Sequence, residues 1–267
     1  MRPDDGAVPA LAAGEADAVP AGVEMRAARV VSRIVPVSGL PAGLREQMFR
    51  LLDRYYDQVS RARFDADLDE KDWVVMGFES GCLAGFSTLM RVRAERDGHP
   101  IVAFYSGDTV ASPSVRGPNG VTGGAAAFLR HMLGHAASEP AVRHYYMHVA
   151  GTHLGYLMMT SLFRVSRPRF DQPLTPEATR ILEALAAAKG LDYDRDRSIA
   201  RFEMPSIPRP GVAARSAAAA ANPHVRFFDA QNPHHAQGER LVSLVELTID
   251  NLTPAARRLL RLARRDR

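Results

Sequence analysis

A glycine-rich segment behind an apolar stretch is the strongest chemical feature of this 267-residue sequence. Ile101 to Tyr105 has the β-branched and aromatic composition of a buried strand, and Ser112-Pro113 interrupts it. The next residues include Arg116, Gly117, Asn119, Gly120, Gly123 and Gly124, and apolar residues then recur at helical spacing from Ala125 to Ala136. A strand, glycine-rich loop and helix point main-chain N–H groups at an anion, usually a phosphate. An ordinary flexible connection is the alternative, because the loop matches neither the dinucleotide fingerprint nor the P-loop.

The histidines of this sequence raise the question of a metal site. His131 and His135 are four residues apart on the predicted helix, a spacing that can chelate a metal ion. No glutamate follows His131 in the manner of the HExxH motif, and no third ligand is evident. The pair His234-His235, in a turn that contains proline, is no stronger a candidate. We therefore expect no metal cofactor.

Composition limits the class of protein. The formal net charge is +4, and arginine supplies nearly all of the positive charge, with a dense block only in the last eleven residues. Most arginines are scattered among acidic residues, which does not favour a nucleic-acid partner. No apolar run approaches the length of a membrane span, the N-terminus lacks the pattern of a signal peptide, and Cys82 is the only cysteine. A cytoplasmic protein without a membrane span is the simplest expectation.

The elements that would position the glycine-rich loop follow a regular order. The pattern predicts a strand over residues 29–38 and an amphipathic helix over residues 44–56. Residues 72–78 and 82–92 flank a Glu79-Ser80-Gly81 turn, and the strand that begins at Ile101 comes next. After the glycine-loop helix, we expect a strand over residues 144–149 and a helix over residues 152–163.

Four segments are expected along the chain. Residues 1–26 are rich in alanine, proline and glycine and read as a disordered leader, and residues 27–204 form the main domain. Residues 205–222 have the composition of a linker. Residues 223–267 form a C-terminal extension, whose apolar residues Leu241 to Leu247 and Phe227-Phe228 are expected to pack on the core or on a second subunit.

The loop and its surroundings resemble the acyl-CoA site of the GNAT N-acyltransferase superfamily. The residues that carry the resemblance are Val110, Ser112-Pro113, Arg116-Gly117 and Gly120-Val121, between a strand and a helix. The Ser106-Gly107-Asp108 strand and the Asn-Pro…Gly…Leu pattern near the C-terminus are similar to those of bacterial GNAT-like proteins. The resemblance implies an α/β (α+β) fold with a mixed, mainly antiparallel central sheet that is flanked by helices and followed by a C-terminal extension.

The resemblance also implies a cofactor and its binding residues. In the superfamily the loop binds the CoA pyrophosphate through main-chain amides, and two strands splay apart to admit the CoA arm. Acyl-CoA would then be the co-substrate, bound by residues of the loop and its flanks. These are Val110, Val115, Arg116, Gly117, Asn119, Gly120, Val121, Thr122, Gly123 and Gly124.

Four residues are candidates for the catalytic groups. The resemblance places Tyr156 near the thiol, where it would protonate the leaving thiolate. Glu79, Asp108 and His148 are candidates for the base that an amine acceptor requires. Asp108 lies within a predicted buried strand, where Gly107 instead suggests a structural bulge. His148 has a suitable pKa for base catalysis, and a hydrogen-bonded core histidine is the alternative.

The leading hypothesis is an N-acyltransferase that moves an acyl group from acyl-CoA, or from an acyl-carrier protein, to a small-molecule or peptide amine. The alternative is a non-catalytic protein of GNAT fold that binds a ligand or serves in assembly. The spacing from Arg116 to Gly120, one residue longer than the family pattern, favours this alternative. The absence of the family's Asn-x-x-Ala-x-x-x-Tyr spacing before Tyr156 favours it too. A homodimer is one arrangement that would bury the C-terminal segment.

Overall fold

The computed structural model describes residues 30–115 and 118–262, without the side chains of residues 114, 118–123 and 262. The predicted leader and the loop residues Arg116 and Gly117 lie outside the described residues. The strands are β1 (Val31–Pro36), β2 (Tyr56–Asp57), β3 (Trp73–Glu79), β4 (Cys82–Arg96), β5 (His99–Ala111), β6 (Arg143–Ala150), β7 (Asp192–Asp194), β8 (Ile199–Arg201), β9 (Ile207–Pro208) and β10 (Arg240–Glu246). The helices are α1 (Ala42–Tyr55), α2 (Arg61–Asp69), α3 (Pro118–Ser138), α4 (His153–Leu162), α5 (Pro176–Lys189), α6 (Ala217–Ala221), α7 (Pro223–Gln231) and α8 (Pro254–Leu262).

Eight strands form one sheet in the order β1-β3-β4-β5-β6-β10-β8-β7. Every neighbouring pair is antiparallel except β5 and β6, which are parallel and are connected through α3. A parallel pair needs a crossover connection, and the long apolar stripe of α3 supplies one that packs back on the sheet. The predicted mixed, mainly antiparallel sheet flanked by helices is confirmed.

Helices cover both faces of this sheet because successive side chains of each strand point to opposite faces. On one face, α1 and α2 pack on β3 and β4, and α5 packs on β5, β6 and β10. On the other face, α3, α4, α7 and α8 share one core with Phe104, Tyr146 and Val245. The predicted stripe of α3 is buried there, with Leu129 and Met132 fully enclosed. α5 is capped at Thr175, which accepts a hydrogen bond from the N–H of Ala178, and at Gly190, with φ of +75°.

The C-terminal segment completes the main sheet. β10 lies between β6 and β8, so residues 241–245 are buried on both faces. Within the predicted linker, β9 pairs with β2 and α6 precedes α7. Phe228 of α7 is fully buried against α4. The residues that the sequence marked as an extension therefore contribute an interior strand to the core.

Candidate active site

The parallel pair β5–β6 opens at one end. Main-chain pairing runs from Ile101 opposite Arg143 to Tyr105 opposite Met147. Beyond that point β5 continues to Ala111 and β6 to Ala150, with no pairing between them. The two strands therefore diverge into a wedge, and Ser106 is the first residue of β5 on its open side.

A bulge in β5 coincides with the start of this wedge. Leu89 of β4 pairs with Ser106, whereas Ser87 pairs with Thr109, so three steps along β5 face two steps along β4. The extra length falls at Gly107 and Asp108, and such a bulge bends a strand and redirects its side chains. The structural alternative predicted for the Ser106-Gly107-Asp108 segment, a bulge, is therefore present, and it presents Asp108 to a cavity.

Gly107 is required by the packing beneath the bulge. A Cβ atom at this position would lie 2.7 Å from the Thr88 hydroxyl oxygen and 2.8 Å from Cε of Lys71. Lys71 is one of the two lysines of the chain, and its side chain is fully enclosed. Its ammonium group donates to the Asp67 carboxylate at 2.6 Å and to the Asp67 carbonyl at 2.9 Å. A neutralised lysine thus lies directly under the bulge.

A cavity of about 390 Å³ lies above the bulge, on the face of the sheet that α2 covers. Three parts of the chain enclose it. The sheet contributes Ser106, Gly107, Asp108, Val149 and Arg240; the α1–α2 region contributes Leu52, Gln58, Val59, Ser60, Arg63, Phe64, Ala66, Asp67 and Glu70; and the segment after β8 contributes Phe202, Met204, Pro205 and Ser206. The cavity is therefore rich in charged side chains from elements that are far apart in sequence.

Asp108 is a titratable group of this cavity with altered acidity. Its pKa is raised to about 6, mainly because the carboxylate is removed from water and also because the carboxylate of Asp67 is nearby. The positive charges of Lys71, Arg240 and Arg63 act in the opposite direction. A carboxyl group with this pKa is ionised near neutral pH and is a better proton acceptor than an ordinary aspartate.

Arg240 faces the same cavity from β10. Its guanidinium donates to the carbonyl of Ser206 at 2.6 Å and, more weakly, to the carbonyl of Glu239 at 3.4 Å. Gly151 packs against it so closely that a Cβ there would lie 2.7 Å from the arginine Nε. Burial lowers the pKa of this arginine from its ordinary value, although the charge of Asp108 favours the protonated form.

His148 lies on the opposite face of β6 from Val149. The Tyr146 hydroxyl is 2.9 Å from the Ser106 hydroxyl and 2.7 Å from Nδ1 of His148, which forms a buried hydrogen-bond chain across the start of the wedge. Burial lowers the pKa of His148 to about 4, so the imidazole is neutral at pH 7. The structure thus places His148 in a bridge between the two strands, and this residue does not line the cavity.

Two other predicted catalytic residues lie apart from the cavity. Tyr156 is fully buried in α4; its hydroxyl donates to the Pro168 carbonyl at 3.2 Å, and its ring stacks on Phe227. Glu79 pairs with Cys82 at the turn of the β3–β4 hairpin. Neither residue lines the cavity that contains Asp108. The structure therefore brings none of the other three catalytic candidates into this cavity beside Asp108.

The predicted cofactor-binding residues fall in three environments. Arg116 and Gly117 lie outside the described residues. Val110 and Val115 are buried core residues, at 3% and 5% exposure. Because α3 begins at Pro118, Asn119 and Gly120 occupy its first turn, whereas Val121, Thr122, Gly123 and Gly124 lie further along the helix. The loop is thus shorter than predicted, and the free amides of this helix are those of Asn119 and Gly120, because proline has no N–H.

The histidine pair occupies a different groove, between β1 and α3. Burial lowers the pKa of His131 to about 4, and both imidazole rings pack against Trp73. Across the described ranges 30–115 and 118–262, no group of three or more His, Cys, Asp or Glu residues is arranged to hold a metal ion. No helix in those ranges is long and apolar enough to cross a membrane.

Sequence reasoning missed Lys71 and Arg240, which shape the charge of the cavity. A lysine in a chain whose other basic residues are almost all arginine was a compositional signal for Lys71. Arg240 carried no local signal, because its neighbours in the cavity are more than thirty residues away in sequence. Asp67 belongs to the helix that follows the predicted α1, and only the fold brings it beside the bulge.

The consecutive antiparallel strands that lead into α3, and the parallel pair that diverges, are the features expected from the GNAT resemblance. The chain has a GNAT-like fold. No family model and no curated protein matches this chain. Among solved structures it is similar to a GNAT family N-acetyltransferase from Escherichia coli in complex with CoA, at 11% identity and a TM-score of 0.37, over 85% of this chain and 87% of that one.

Two further solved structures are similar. One is an IAA acetyltransferase from Bacillus cereus, at 11% identity and a TM-score of 0.36, over 81% of this chain and 99% of that one. The other is a probable N-acyltransferase from Enterococcus faecalis, at 15% identity and a TM-score of 0.34, over 44% of this chain. This chain spans only 29% of the length of the Enterococcus protein.

Proposed function

We propose that this protein is an acyltransferase that moves an acyl group from acyl-CoA to an amine. The observation that carries the proposal is the position of Asp108, at a bulge where β5 and β6 diverge, facing a cavity of about 390 Å³. The thioester would enter the wedge between the strands, and the amine would occupy the cavity. Asp108 would act as the general base.

The main chain supports this placement of the donor. Beyond Tyr105 and Met147 the facing edges of β5 and β6 do not pair with each other, so the opening can take an extended pantetheine arm by strand-like hydrogen bonding. α3 is the next α-helix after β5, and its first turn offers the amides of Asn119 and Gly120 to a pyrophosphate. An acyl-carrier protein would present the same pantetheine arm and is the alternative donor.

The altered pKa of Asp108 fits the proton transfer that amide formation requires. The amine nitrogen must give up a proton as it attacks the thioester carbonyl, and the departing thiolate must gain one. The carboxylate of Asp108, with its pKa of about 6, accepts the amine proton. In this scheme the proton that Asp108 takes from the amine is returned, directly or through solvent, to the departing thiolate. Tyr156 takes no part, since its hydroxyl is bonded to the Pro168 carbonyl.

Calorimetry with acetyl-CoA and longer acyl-CoAs tests the donor site. We expect the wild-type protein to bind, and Gly120→Val to weaken binding by about tenfold or more, because a side chain would enter the pyrophosphate cradle. Gly134→Val is the matched control, since Gly134 lies in the same helix and has open space around it. Absence of CoA and acyl-CoA binding by the wild-type protein would refute the proposal.

One observation favours the second candidate, a ligand-binding protein without catalysis. The Tyr156 hydroxyl is engaged elsewhere, and no tyrosine of the described residues lines the cavity to protonate a thiolate. Measurement of free thiol release separates the two. The catalytic proposal requires release that depends on both acyl-CoA and an amine, whereas the alternative gives acyl-CoA binding with no release above the uncatalysed rate.

A further inference from the structure

Three charged groups that line the cavity have no opposite charge as a direct partner among the described residues: Asp108, Arg240 and, at the exposed rim, Arg63. Asp67 is neutralised by Lys71 at 2.6 Å, and Glu70 is neutralised by Lys189 at 2.9 Å. Asp108 and Arg240 take part in no ion pair within 4.0 Å in the part of the chain that the structure describes. Away from the solvent-exposed rim, where Arg63 lies, the cavity thus contains one negative and one positive charge without an ion-pair partner.

The carboxylate next to Arg240 in sequence is already paired with two other arginines. Glu239, which is adjacent to Arg240, binds Arg197 at 2.8 Å and Arg201 at 3.1 Å. Arg240 is left with two main-chain carbonyls, which satisfy part of its hydrogen-bonding capacity and none of its charge. A half-buried guanidinium without a carboxylate carries a desolvation cost that an anionic ligand would offset.

The position of Arg240 is fixed by its surroundings. It projects from β10, an interior strand, and Gly151 of the neighbouring chain segment leaves just enough room for the guanidinium. Gly238, with φ of +101°, allows Pro205 to pack tightly beside the segment that carries Ser206. The guanidinium is therefore held before a ligand arrives, which reduces the entropy that binding would cost.

A ligand that satisfies both charges must carry a cation at one end and an anion at the other. The two groups are more than 4.0 Å apart and both line the cavity, so a small molecule can lie between them. An amine without an acid group would leave Arg240 unpaired, and a simple carboxylate would leave Asp108 unpaired. An amino acid meets both requirements.

We propose that the acceptor is an amine that also bears a carboxylate, with the carboxylate bound by Arg240 and the amine directed at Asp108. This inference rests on the proposed acyltransferase function. Arg63 lies at the exposed rim of the same cavity and donates to the Met204 carbonyl. Arg63 therefore provides a matched comparison for Arg240, as a second arginine that lines the cavity without the enclosure of an interior strand.

The experiment compares amino acids with analogues in which only the carboxylate is changed. Glycine, 3-aminopropionate, 4-aminobutyrate and larger amino acids are offered with acetyl-CoA, each beside its primary amide. We expect kcat/KM for the best acid to exceed that of its amide by about tenfold or more, from a charge-assisted contact. Arg240→Met should remove that preference, Arg240→Lys should retain part of it, and Arg63→Gln should leave the ratio unchanged.

Binding provides a readout that does not depend on turnover. Calorimetry of the same acids and amides, on protein saturated with CoA, should show the same preference and its loss in Arg240→Met, with thermal unfolding confirming that each variant is folded. Equal kcat/KM and equal affinity for acids and amides would overturn the inference and leave the acyltransferase proposal standing. Preferential binding of acids without thiol release would refute the acyltransferase proposal and leave the carboxylate site standing.

Discussion

The two sides of the β5–β6 opening each hold one buried titratable group, and the surroundings of the two groups differ. On the α2 side, Asp108 faces a cavity and has no ion-pair partner among the described residues. On the other side, His148 is hydrogen-bonded through Tyr146 to Ser106 and is enclosed in the core. Burial is the largest cause of the altered pKa in both cases. The difference teaches that an altered pKa indicates a reactive group only where space for a ligand and unsatisfied charge accompany it.

Two substitutions, one on each side of the β5–β6 opening, should differ most in their effect on kcat/KM. Asp108→Asn removes the proton acceptor, and we expect kcat/KM for acyl transfer to fall by about 10²- to 10⁴-fold. His148→Asn, on the bonded side, should change kcat/KM by less than about fivefold, because His148 has no direct role in the proposed chemistry. The measurement is thiol release from acyl-CoA with an amine acceptor. A larger loss in the His148 variant would reverse the assignment of the two sides.

Substitution of Gly107 tests how tightly the Asp108 side of the opening is packed. Gly107→Ala should lower the free energy of unfolding by about 2–3 kcal/mol, because its Cβ would collide with Thr88 and Lys71 beneath the bulge. Gly134→Ala is the control: its Cβ would meet nothing within 4 Å, and alanine in a helix should stabilise by about 0.5–1 kcal/mol. Chemical denaturation of both variants checks this. Equal stability of the two would mean that the bulge is not tightly packed on Lys71.

The pH dependence of stability should have opposite signs on the two sides. The folded pKa of Asp108, about 6, exceeds the ordinary value of 3.8, so its contribution is full below pH 4 and is lost as pH rises through 6. The folded pKa of His148, about 4, is below the ordinary 6.5, so its contribution is full above pH 6.5 and is lost as pH falls toward 4.

Each contribution should amount to about 1–2 kcal/mol, since solvent around the cavity and relaxation of the core reduce the full effect. Asp108→Asn should therefore raise the melting temperature at pH 7.5 more than at pH 4, and His148→Asn should be relatively less destabilising at pH 4.5 than at pH 7.5. Calorimetric melting across pH 4 to 8 gives both curves. Parallel curves for the two variants would contradict the account.

Local patterns predicted most of the elements, and long-range contacts account for what they missed. The helical spacing of Phe128, Leu129 and Met132 and the capping residues Thr175 and Gly190 identify helices directly, because their signals lie within a few residues. The place of β10 between β6 and β8 depends on pairing with residues that are 91 to 101 positions away in β6 and 40 to 42 positions away in β8, for which one sequence carries no local sign.

The candidate site, too, was predictable only where the sequence carries a local signal. Asp108 was found because a carboxylate beside a glycine in an apolar strand is unusual. The environment that makes Asp108 different from His148 was not predictable. Asp67 and Lys71 come from the C-terminal end of α2 and the residues just after it, and Arg240 comes from β10, all far from Asp108 in sequence. The role carried to Tyr156 by resemblance stays a prediction, and the structure gives its hydroxyl another partner.

The pH profile of kcat/KM is the measurement that tests the role of Asp108 most directly. With an amine acceptor and saturating acyl-CoA, the wild-type logarithmic profile should lose one unit of slope near pH 6, where Asp108 becomes ionised. Asp108→Asn should retain only a small residual rate, and its profile should show no such bend. A wild-type profile without a bend near pH 6, or an Asp108→Asn variant that keeps both the rate and the bend, would contradict the assignment of Asp108 as the base.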